Sequence, residues 1–379
     1  MNRGIFILLA AVALIGLAGL YLLKHGSSLF MHRPPTDRIA FVSTRDGQTD
    51  IWTMKSDGGD KRKFTNDEAE DTAPAWSPKG TEIVSASDRE DGRYEIYISA
   101  WNGSYLKRLT SGAGTKDLPR WSPDGSEIVF LSSGAAHVRS RFGSDDNQVL
   151  PTVEQGATQF ARAVLDVKWS ANHRTLAAVQ DAGAGQDVLV LEDFDNPERK
   201  PLRLNNSGEL SIEPSEPLAG TANVAWAAEG YRIAVTFTDR KGADGKRTNG
   251  ILIADLSSMG VSEVWSASVD MIGPAAPAWS PDGKRIAFEM WKISDRRPDR
   301  CIGLYVVSAD GGEPKLLAKG EAMAPSWSPD GRYLAYTLAR EDGRRDIWRI
   351  EADGKGAVSL TNGEGDNFQP VWSPPLKKR

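Results

Sequence analysis

The sequence predicts an all-β protein, a seven-bladed β-propeller of four-stranded antiparallel blades that follows one N-terminal hydrophobic helix. A Trp-Ser-Pro-Asp/Lys-Gly motif recurs along the chain, with near-identical copies at Trp76, Trp121, Trp279 and Trp327 and degraded copies at Trp169, Trp226 and Trp372. The copies are spaced by 45, 48, 57, 53, 48 and 45 residues, which is the length of one propeller blade.

The N-terminal element is an uninterrupted apolar run from Ile5 to Leu23. Nineteen residues in a helix span the hydrocarbon core of a bilayer. No small-residue cleavage site follows the run, which favours an uncleaved signal anchor over residues 1–25 with the amino terminus inside. A cleaved signal, followed by secretion, is the alternative. Residues 26–36 are then a linker and residues 37–375 the propeller.

The repeated motif has the chemistry of a strand, a tight turn and a second strand. Proline sets φ at the second turn position, aspartate bonds its own backbone, and glycine takes the left-handed conformation that closes the turn. Short alternating runs of β-branched and aromatic residues follow, such as Glu127-Ile-Val-Phe130 and Asp346-Ile-Trp348. The seven motif tryptophans are therefore predicted to be buried between blades.

The two ends of the soluble region predict how the propeller closes. Arg38-Ile-Ala-Phe41 reads as the strand that follows a motif turn, yet no such turn precedes it. Gln369 to Pro374 reads as an inner strand with its turn and no strand after it. Joined, the two segments complete a seventh blade and protect the strands that an open array would expose.

The motif resembles the propeller repeat of TolB and its relatives, and the resemblance covers almost everything after residue 37. It implies a propeller that binds other molecules in the cell envelope. The sequence departs from the TolB pattern in two ways: His25 to Pro35 leave no room for a small α/β domain before the propeller, and seven motifs are present where that pattern has six blades.

Composition and motifs exclude several other classes. The net charge of −5 argues against a nucleic-acid partner. The single cysteine, Cys301, excludes an intrachain disulfide and a cysteine zinc site. No G-x-S-x-G elbow, H-E-x-x-H or Walker A loop occurs, and the propeller holds only His137 and His173 as histidines. We therefore expect a protein that is not an enzyme and needs no cofactor.

One face of the propeller is predicted to carry the function. First-to-second turns are uniform, whereas second-to-third hairpins and blade connections vary and are charged, as in Lys241 to Thr248 and Arg340 to Arg345. The candidate binding residues are four acids that precede their blade tryptophans where the chain enters the central channel: Asp71, Asp117, Glu321 and Asp366. Such an arc would attract a basic peptide or a divalent cation. Capping of local turns is the alternative role.

The sequence thus predicts a membrane-tethered scaffold, with its propeller in the periplasm or outside the cell, that binds a protein or peptide at one face. Two other functions stay open. One is a saccharide lyase or hydrolase that uses the channel-mouth carboxylates as a proton-transfer pair. The other is a sensor or ligand-binding domain.

Overall fold

The computed structural model describes residues 36–143, 146–150, 163–171, 174–182, 185–194, 196, 200–205, 208–212, 218, 222–241, 245–269, 272–294 and 297–375. The predicted anchor and most of the linker lie outside the described residues. Within them, no helix is long and apolar enough to cross a membrane.

The strands, β1–β29 in chain order, form seven antiparallel sheets that are the seven blades. Blade 1 holds β1 (Arg38–Ser43), β2 (Asp50–Lys55), β3 (Arg62–Lys63) and β29 (Asn367–Trp372). Blade 2 holds β4 (Asp71–Trp76), β5 (Glu82–Ser87), β6 (Glu95–Ala100) and β7 (Leu106–Arg108). Blade 3 holds β8 (Lys116–Trp121), β9 (Glu127–Ser132), β10 (Ala135–Ser140) and β11 (Asp146–Leu150).

The other four blades continue the order around the channel. Blade 4 holds β12 (Val164–Trp169), β13 (Thr175–Asp181), β14 (Gln186–Glu192), β15 (Leu202–Leu204) and β16 (Leu210–Ser211). Blade 5 holds β17 (Ala222–Trp226), β18 (Arg232–Lys241), β19 (Arg247–Asp255) and β20 (Gly260–Ser268). Blade 6 holds β21 (Ile272–Trp279), β22 (Arg285–Ser294), β23 (Arg297–Ser308) and β24 (Lys315–Lys319). Blade 7 holds β25 (Ala322–Trp327), β26 (Tyr333–Ala339), β27 (Arg345–Glu351) and β28 (Val358–Ser359).

The predicted closure is confirmed. β29 pairs antiparallel with β1, with Trp372 opposite Ile39 and Asn367 opposite Ser43. The amino-terminal and carboxyl-terminal strands therefore share blade 1, and neither end of the array is left as a free sheet edge.

The turn chemistry follows the predicted pattern. In blade 3 the Ser122 hydroxyl donates to Asp124 Oδ1 at 2.7 Å, and the amide of Gly125 donates to the Ser122 carbonyl at 2.9 Å. Gly125 has φ of 75°. The same serine-to-aspartate bond occurs at Ser280 and Ser328.

The motif tryptophans join neighbouring blades, as predicted. Six of them are more than nine-tenths buried, whereas Trp226 is partly exposed. The indole Nε1 donates to the carbonyl of the residue before the tryptophan of the preceding blade, at 3.0–3.2 Å, in Trp76, Trp121, Trp226, Trp279, Trp327 and Trp372. One packing contact and one hydrogen bond thus repeat around the ring.

One detail differs from the predicted four-stranded blades, and two fourth strands are cut short. Blade 4 has five strands, because β16 adds to β15 at its outer edge. The fourth strands of blades 2 and 7 end before Thr110 and Thr361, since the hydroxyls of these threonines accept the amides of Ile96 and Ile347 and replace the strand ladder there.

Candidate functional site on the loop face

We call the face that carries the second-to-third hairpins and the blade connections the loop face, and the opposite face, with its first-to-second and third-to-fourth turns, the turn face. Hairpins of the neighbouring blades 7, 1 and 2 have related sequences on the loop face. Each places an arginine just after the second strand, at Arg340, Arg45 and Arg89, and an Asp-Gly pair follows directly or after one glutamate. The shared pattern predicts that these arginines have related roles.

Each hairpin arginine ties its loop to a blade connection. Arg45 stacks over the Trp52 ring at 4.4 Å and pairs with Glu364 at 3.0 Å. Arg89 stacks over the Tyr97 ring at 4.7 Å and pairs with Asp67 at 2.8 Å. Stacking and ion pairing together fix the guanidinium planes, so these hairpins are held rigidly.

Asp71, one of the four predicted acids, is fully buried at the start of β4. Its Oδ1 accepts from Arg89 Nη2 at 2.8 Å. Burial raises the pKa of Asp71, although the Ser87 hydroxyl and Arg89 favour the ionised form. The side chain is therefore part of the hairpin support and does not face open solvent.

Asp366, at the entry to β29, is held by Arg345. The guanidinium Nε and the backbone amide of Arg345 both donate to Asp366 Oδ1, at 2.9 and 2.8 Å, and its Nη2 donates to Oδ2 at 2.5 Å. Burial acts to raise the pKa of Asp366, but the bonds from Arg345 outweigh it and the pKa is lowered. This carboxylate is ionised and charge-paired.

The other two predicted acids are exposed. Asp117 Oδ1 accepts the amide of Leu118 at 2.6 Å, and Leu118 has the left-handed φ of 51°. The carbonyl of Glu321 accepts the amide of Ala339 at 3.2 Å. The structure thus divides the four acids into a charge-paired set, Asp71 and Asp366, and an exposed set, Asp117 and Glu321. Their role in binding stays a prediction.

We define the acidic sector as the loop-face hairpins, connections and strand entries of blades 7, 1 and 2 together with Asp117. Exposed carboxylates dominate its loops. They are Asp46, Asp67, Glu68, Glu70, Glu90, Asp91, Asp117, Glu321, Glu341, Asp342 and Glu364. Among the described residues, its exposed bases are Arg93, Lys319 and Arg344. Five of these acids form ion pairs: Asp46, Asp67, Glu90, Asp342 and Glu364. The other six still outnumber the exposed bases, so the outward-facing charge of the sector is mainly negative.

Polar side chains on the inner and second strands, near the channel, mainly connect the blades. The inner strands carry a left-handed residue three positions before the tryptophan, including Ala73, Ala276 and Ala324. The amides of these residues donate to Gln369, Asn223 and Glu289 of the preceding blade, at 3.2, 3.1 and 2.8 Å. These polar groups are therefore committed to the ring itself.

Glu289 is the buried acid of this set. Its Oε1 accepts from Ala324, and its Oε2 accepts the indole Nε1 of Trp291 at 2.8 Å. Among the described residues, no lysine or arginine forms an ion pair with it. Burial is the main cause that raises the pKa of Glu289.

The described residues contain no group of three or more His, Cys, Asp or Glu side chains that could hold a metal ion. His137 stacks on Phe130 with ring centroids 5.5 Å apart, and His173 lies outside the described residues. The divalent cation stays an open prediction.

Sequence reasoning identified the acids of the loop face and the charged stretch from Arg340 to Arg345, but it did not pair Asp366 with Arg345 or Asp71 with Arg89. The sequence held a signal for the pair of Asp71 with Arg89. The arginine recurs, because Ser43-Thr44-Arg45 and Ser87-Asp88-Arg89 occupy the same place in successive repeats. Glu289 gave no such signal, since its partner amide belongs to the next blade.

The fold and this site define a closed seven-bladed propeller with uniform turns on one face and charged, arginine-braced loops on the other. A family model described as the TolB beta propeller domain matches residues 27–211 and 220–378. The chain therefore belongs to the TolB β-propeller family.

Curated relatives match over a short stretch. The Tol-Pal system protein TolB from two strains of Anaeromyxobacter dehalogenans is 41% identical over 46 residues, which is 12% of this chain and 11% of the relative. The chain thus matches about a tenth of the length of these relatives.

Solved structures match over much more of the chain. TolB from Acinetobacter baumannii has a TM-score of 0.51 at 17% identity, over 94% of this chain and 70% of that one. A structure of prolyl endopeptidases has a TM-score of 0.58 at 12% identity, over 87% of this chain and 50% of that one. At these identities the likeness concerns the fold alone.

Proposed function

We propose that the protein is a membrane-tethered, extracytoplasmic scaffold that binds a basic segment of a protein or peptide at the acidic sector of its loop face. The observation that carries the proposal is the charge arrangement of that sector. Arg45, Arg89 and Arg345 are held in ion pairs, and the exposed carboxylates of the sector outnumber its exposed bases on hairpins that these arginines brace. Rigid loops of one charge sign on a stable scaffold favour recognition of an oppositely charged partner.

Three further features support the tether and the location. The apolar run from Ile5 to Leu23 has the length of a membrane span. The family is that of the TolB propeller, and the curated relatives are named as Tol-Pal system proteins. The ion pairs of Asp71 and Asp366 also favour a binding role over a lyase or hydrolase. A proton-transfer pair needs carboxyls that are open to a substrate, and arginines engage both of these.

Two variants, each of which removes two negative charges, test the proposal. Glu68→Gln with Glu341→Gln removes two exposed charges from the loop face, and Asp310→Asn with Glu313→Gln removes two from the turn face. Each full-length variant is used to capture partners from solubilised cell envelopes, and its affinity for a model oligolysine peptide is measured at low and moderate salt.

The loop-face variant should lose the captured partner and bind the peptide several-fold more weakly, with a smaller salt dependence. The turn-face variant should behave like the unchanged protein. Equal retention of partner and peptide by both variants, or loss confined to the turn-face variant, would rule the acidic sector out as the binding surface.

A further inference from the structure

Most exposed large hydrophobic side chains lie at one end of the propeller. Among the described residues there are nine, and seven of these belong to the turn face or to the strand ends beside it. Tyr105, Leu106 and Phe142 lie at third-to-fourth turns of blades 2 and 3, and the Phe142 side chain is 79% exposed. The turn face is thus more apolar than the uniform motif turns had suggested.

The remaining members spread around the ring. Tyr231 and Met259 lie at turns of blade 5, and Leu316 and Val358 open the fourth strands of blades 6 and 7. Five of the seven blades therefore carry an exposed apolar side chain at or beside the turn face. A protein partner usually buries a compact central cluster, whereas a bilayer is a plane that contacts scattered points at one level.

The chain also enters the propeller at this face. The carbonyl of Asp37 accepts the amide of Ser56, which belongs to the third-to-fourth turn of blade 1. The amide of Arg38 donates to the hydroxyl of Ser373, at the end of the inner strand β29. Residue 37 therefore lies at the turn face, and the segment that precedes it in the chain begins there.

The length of that segment limits how far the turn face can be from a membrane. Residues 24–35 separate the apolar run from the first described residue. Twelve residues reach at most about 40 Å when fully extended. Because this segment leaves from the turn face, it holds the turn face within that distance of the bilayer.

We infer that the turn face lies against the bilayer that anchors the chain and inserts Phe142, Leu106 and their counterparts on other blades into its headgroup region. The inference rests on the membrane tether of the proposed function. It directs the acidic loop face away from the membrane, where a partner can reach it. Charges on the turn face are mixed, as with Lys79, Asp124, Asp282 and Lys284, so the contact depends on apolar insertion and not on anionic lipid.

Spin labels at two sites test the inference in the full-length protein in phosphatidylcholine nanodiscs. One label is placed at Phe142→Cys on the turn face and the other at Leu165→Cys, an exposed apolar position at the opposite end of an inner strand. Cys301 is buried and serves as an internal unlabelled thiol. Collision rates with oxygen, which partitions into lipid, and with a water-soluble nickel chelate are measured at each site.

In nanodiscs the oxygen-to-nickel collision ratio at position 142 should be several-fold higher than at position 165. In buffer without lipid or detergent, the ratio at position 142 should fall to that at position 165. A water-like ratio at position 142 in nanodiscs would overturn the inference while leaving loop-face binding intact. If the label at position 142 is immobilised without lipid, and more so as protein concentration rises, the turn face contacts a second copy of the chain and the inference is overturned. Failure of the chain to enter nanodiscs would refute the tether itself.

Discussion

The indole Nε1 of Trp76 donates a hydrogen bond to the backbone carbonyl of Val371, which is 295 positions away in the chain. This bond joins blade 2 to the closing strand of blade 1. It has the same geometry as the bond from Trp121 to Ala75, between blades that are consecutive in sequence. The seam that closes the ring is therefore chemically equivalent to the five other seams that carry this bond, and the ring is stabilised by repetition of one contact.

Truncation of one motif tryptophan should be costly. Trp121→Ala should lower the free energy of unfolding by about 3–5 kcal/mol, because it opens a cavity between blades 2 and 3. Trp121→Phe should cost less overall, although it leaves the Ala75 carbonyl without its indole donor. Chemical denaturation measures both values. Tyr231→Ala, at a half-exposed aromatic, is the control and should change the free energy by less than about 1 kcal/mol.

Removal of the closing strand should change the assembly state. Without residues 367–379, β1 loses its partner β29 and becomes an exposed edge. We expect the shortened protein to form oligomers or aggregates, as measured by size-exclusion chromatography with light scattering. Deletion of residues 376–379 alone is the matched control. A shortened protein that stays monomeric and unfolds at the original temperature would show that closure contributes little.

The repeat made the fold predictable, because each motif specifies its own turn and the motifs recur at about the length of one propeller blade. The closure was also predictable, since Arg38 to Phe41 and Gln369 to Trp372 are the missing halves of one repeat. The fifth strand of blade 4 was not, because Leu210-Ser211 is too short to give a strand pattern.

The site was only partly predictable. Acids at the channel entries are visible in the sequence, but their charge state depends on arginines that approach from other loops. Arg345 reaches Asp366 across 21 residues, and Arg89 reaches Asp71 across 18. Like-charge repulsion among the acids would, taken alone, make neutralisation of Asp366 stabilising. The ion pair with Arg345 reverses that sign.

Asp366→Asn should therefore destabilise the protein at neutral pH by about 1 kcal/mol, because the amide replaces one half of an ion pair that is partly exposed. The pKa of Asp366 is lowered from 3.8 in the folded protein, so its stabilising contribution is present above pH 3.8 and is lost as pH falls through the lower folded value. Melting temperatures of variant and unchanged protein should converge at low pH. Asp310→Asn is the exposed control, and a difference that is constant with pH would contradict the assignment.

Cys301 should be unreactive in the folded protein. Burial is the main cause that raises the pKa of its thiol to about 12, and Sγ lies 3.4 Å from the Ala322 carbonyl. Little of the thiol is ionised at pH 8, and a thiol reagent reaches the buried Sγ only when the surrounding structure opens locally. A disulfide reagent should therefore modify Cys301 about 100-fold or more slowly in the native than in the denatured protein. In Phe142→Cys the exposed thiol should react at once, and equal rates at both sites would refute the burial of Cys301.

Glu289 gives a pH dependence of stability that is opposite in sign to that of Asp366. Its pKa is raised in the folded protein because the carboxyl is buried, and the hydrogen bonds from the neutral donors Ala324 and Trp291, which act to lower it, do not offset the burial. Folding therefore favours the protonated form. The free energy of unfolding should fall, relative to a protein without this group, as pH rises from the unfolded value of 4.5 through the folded value.

Glu289→Gln isolates this effect, since the amide keeps the size of the side chain and can still accept from Ala324 but does not titrate. The difference in melting temperature, variant minus unchanged protein, should increase steadily with pH from below 4.5 upward, whatever its value at the acid end. Glu68→Gln, at an exposed position of the loop face, is the control for loss of one negative charge and should show no such trend. If the difference for Glu289→Gln is flat across this range, the buried carboxyl is not protonated more readily in the folded ring than in the unfolded chain, and a cation that pairs with it must then be sought.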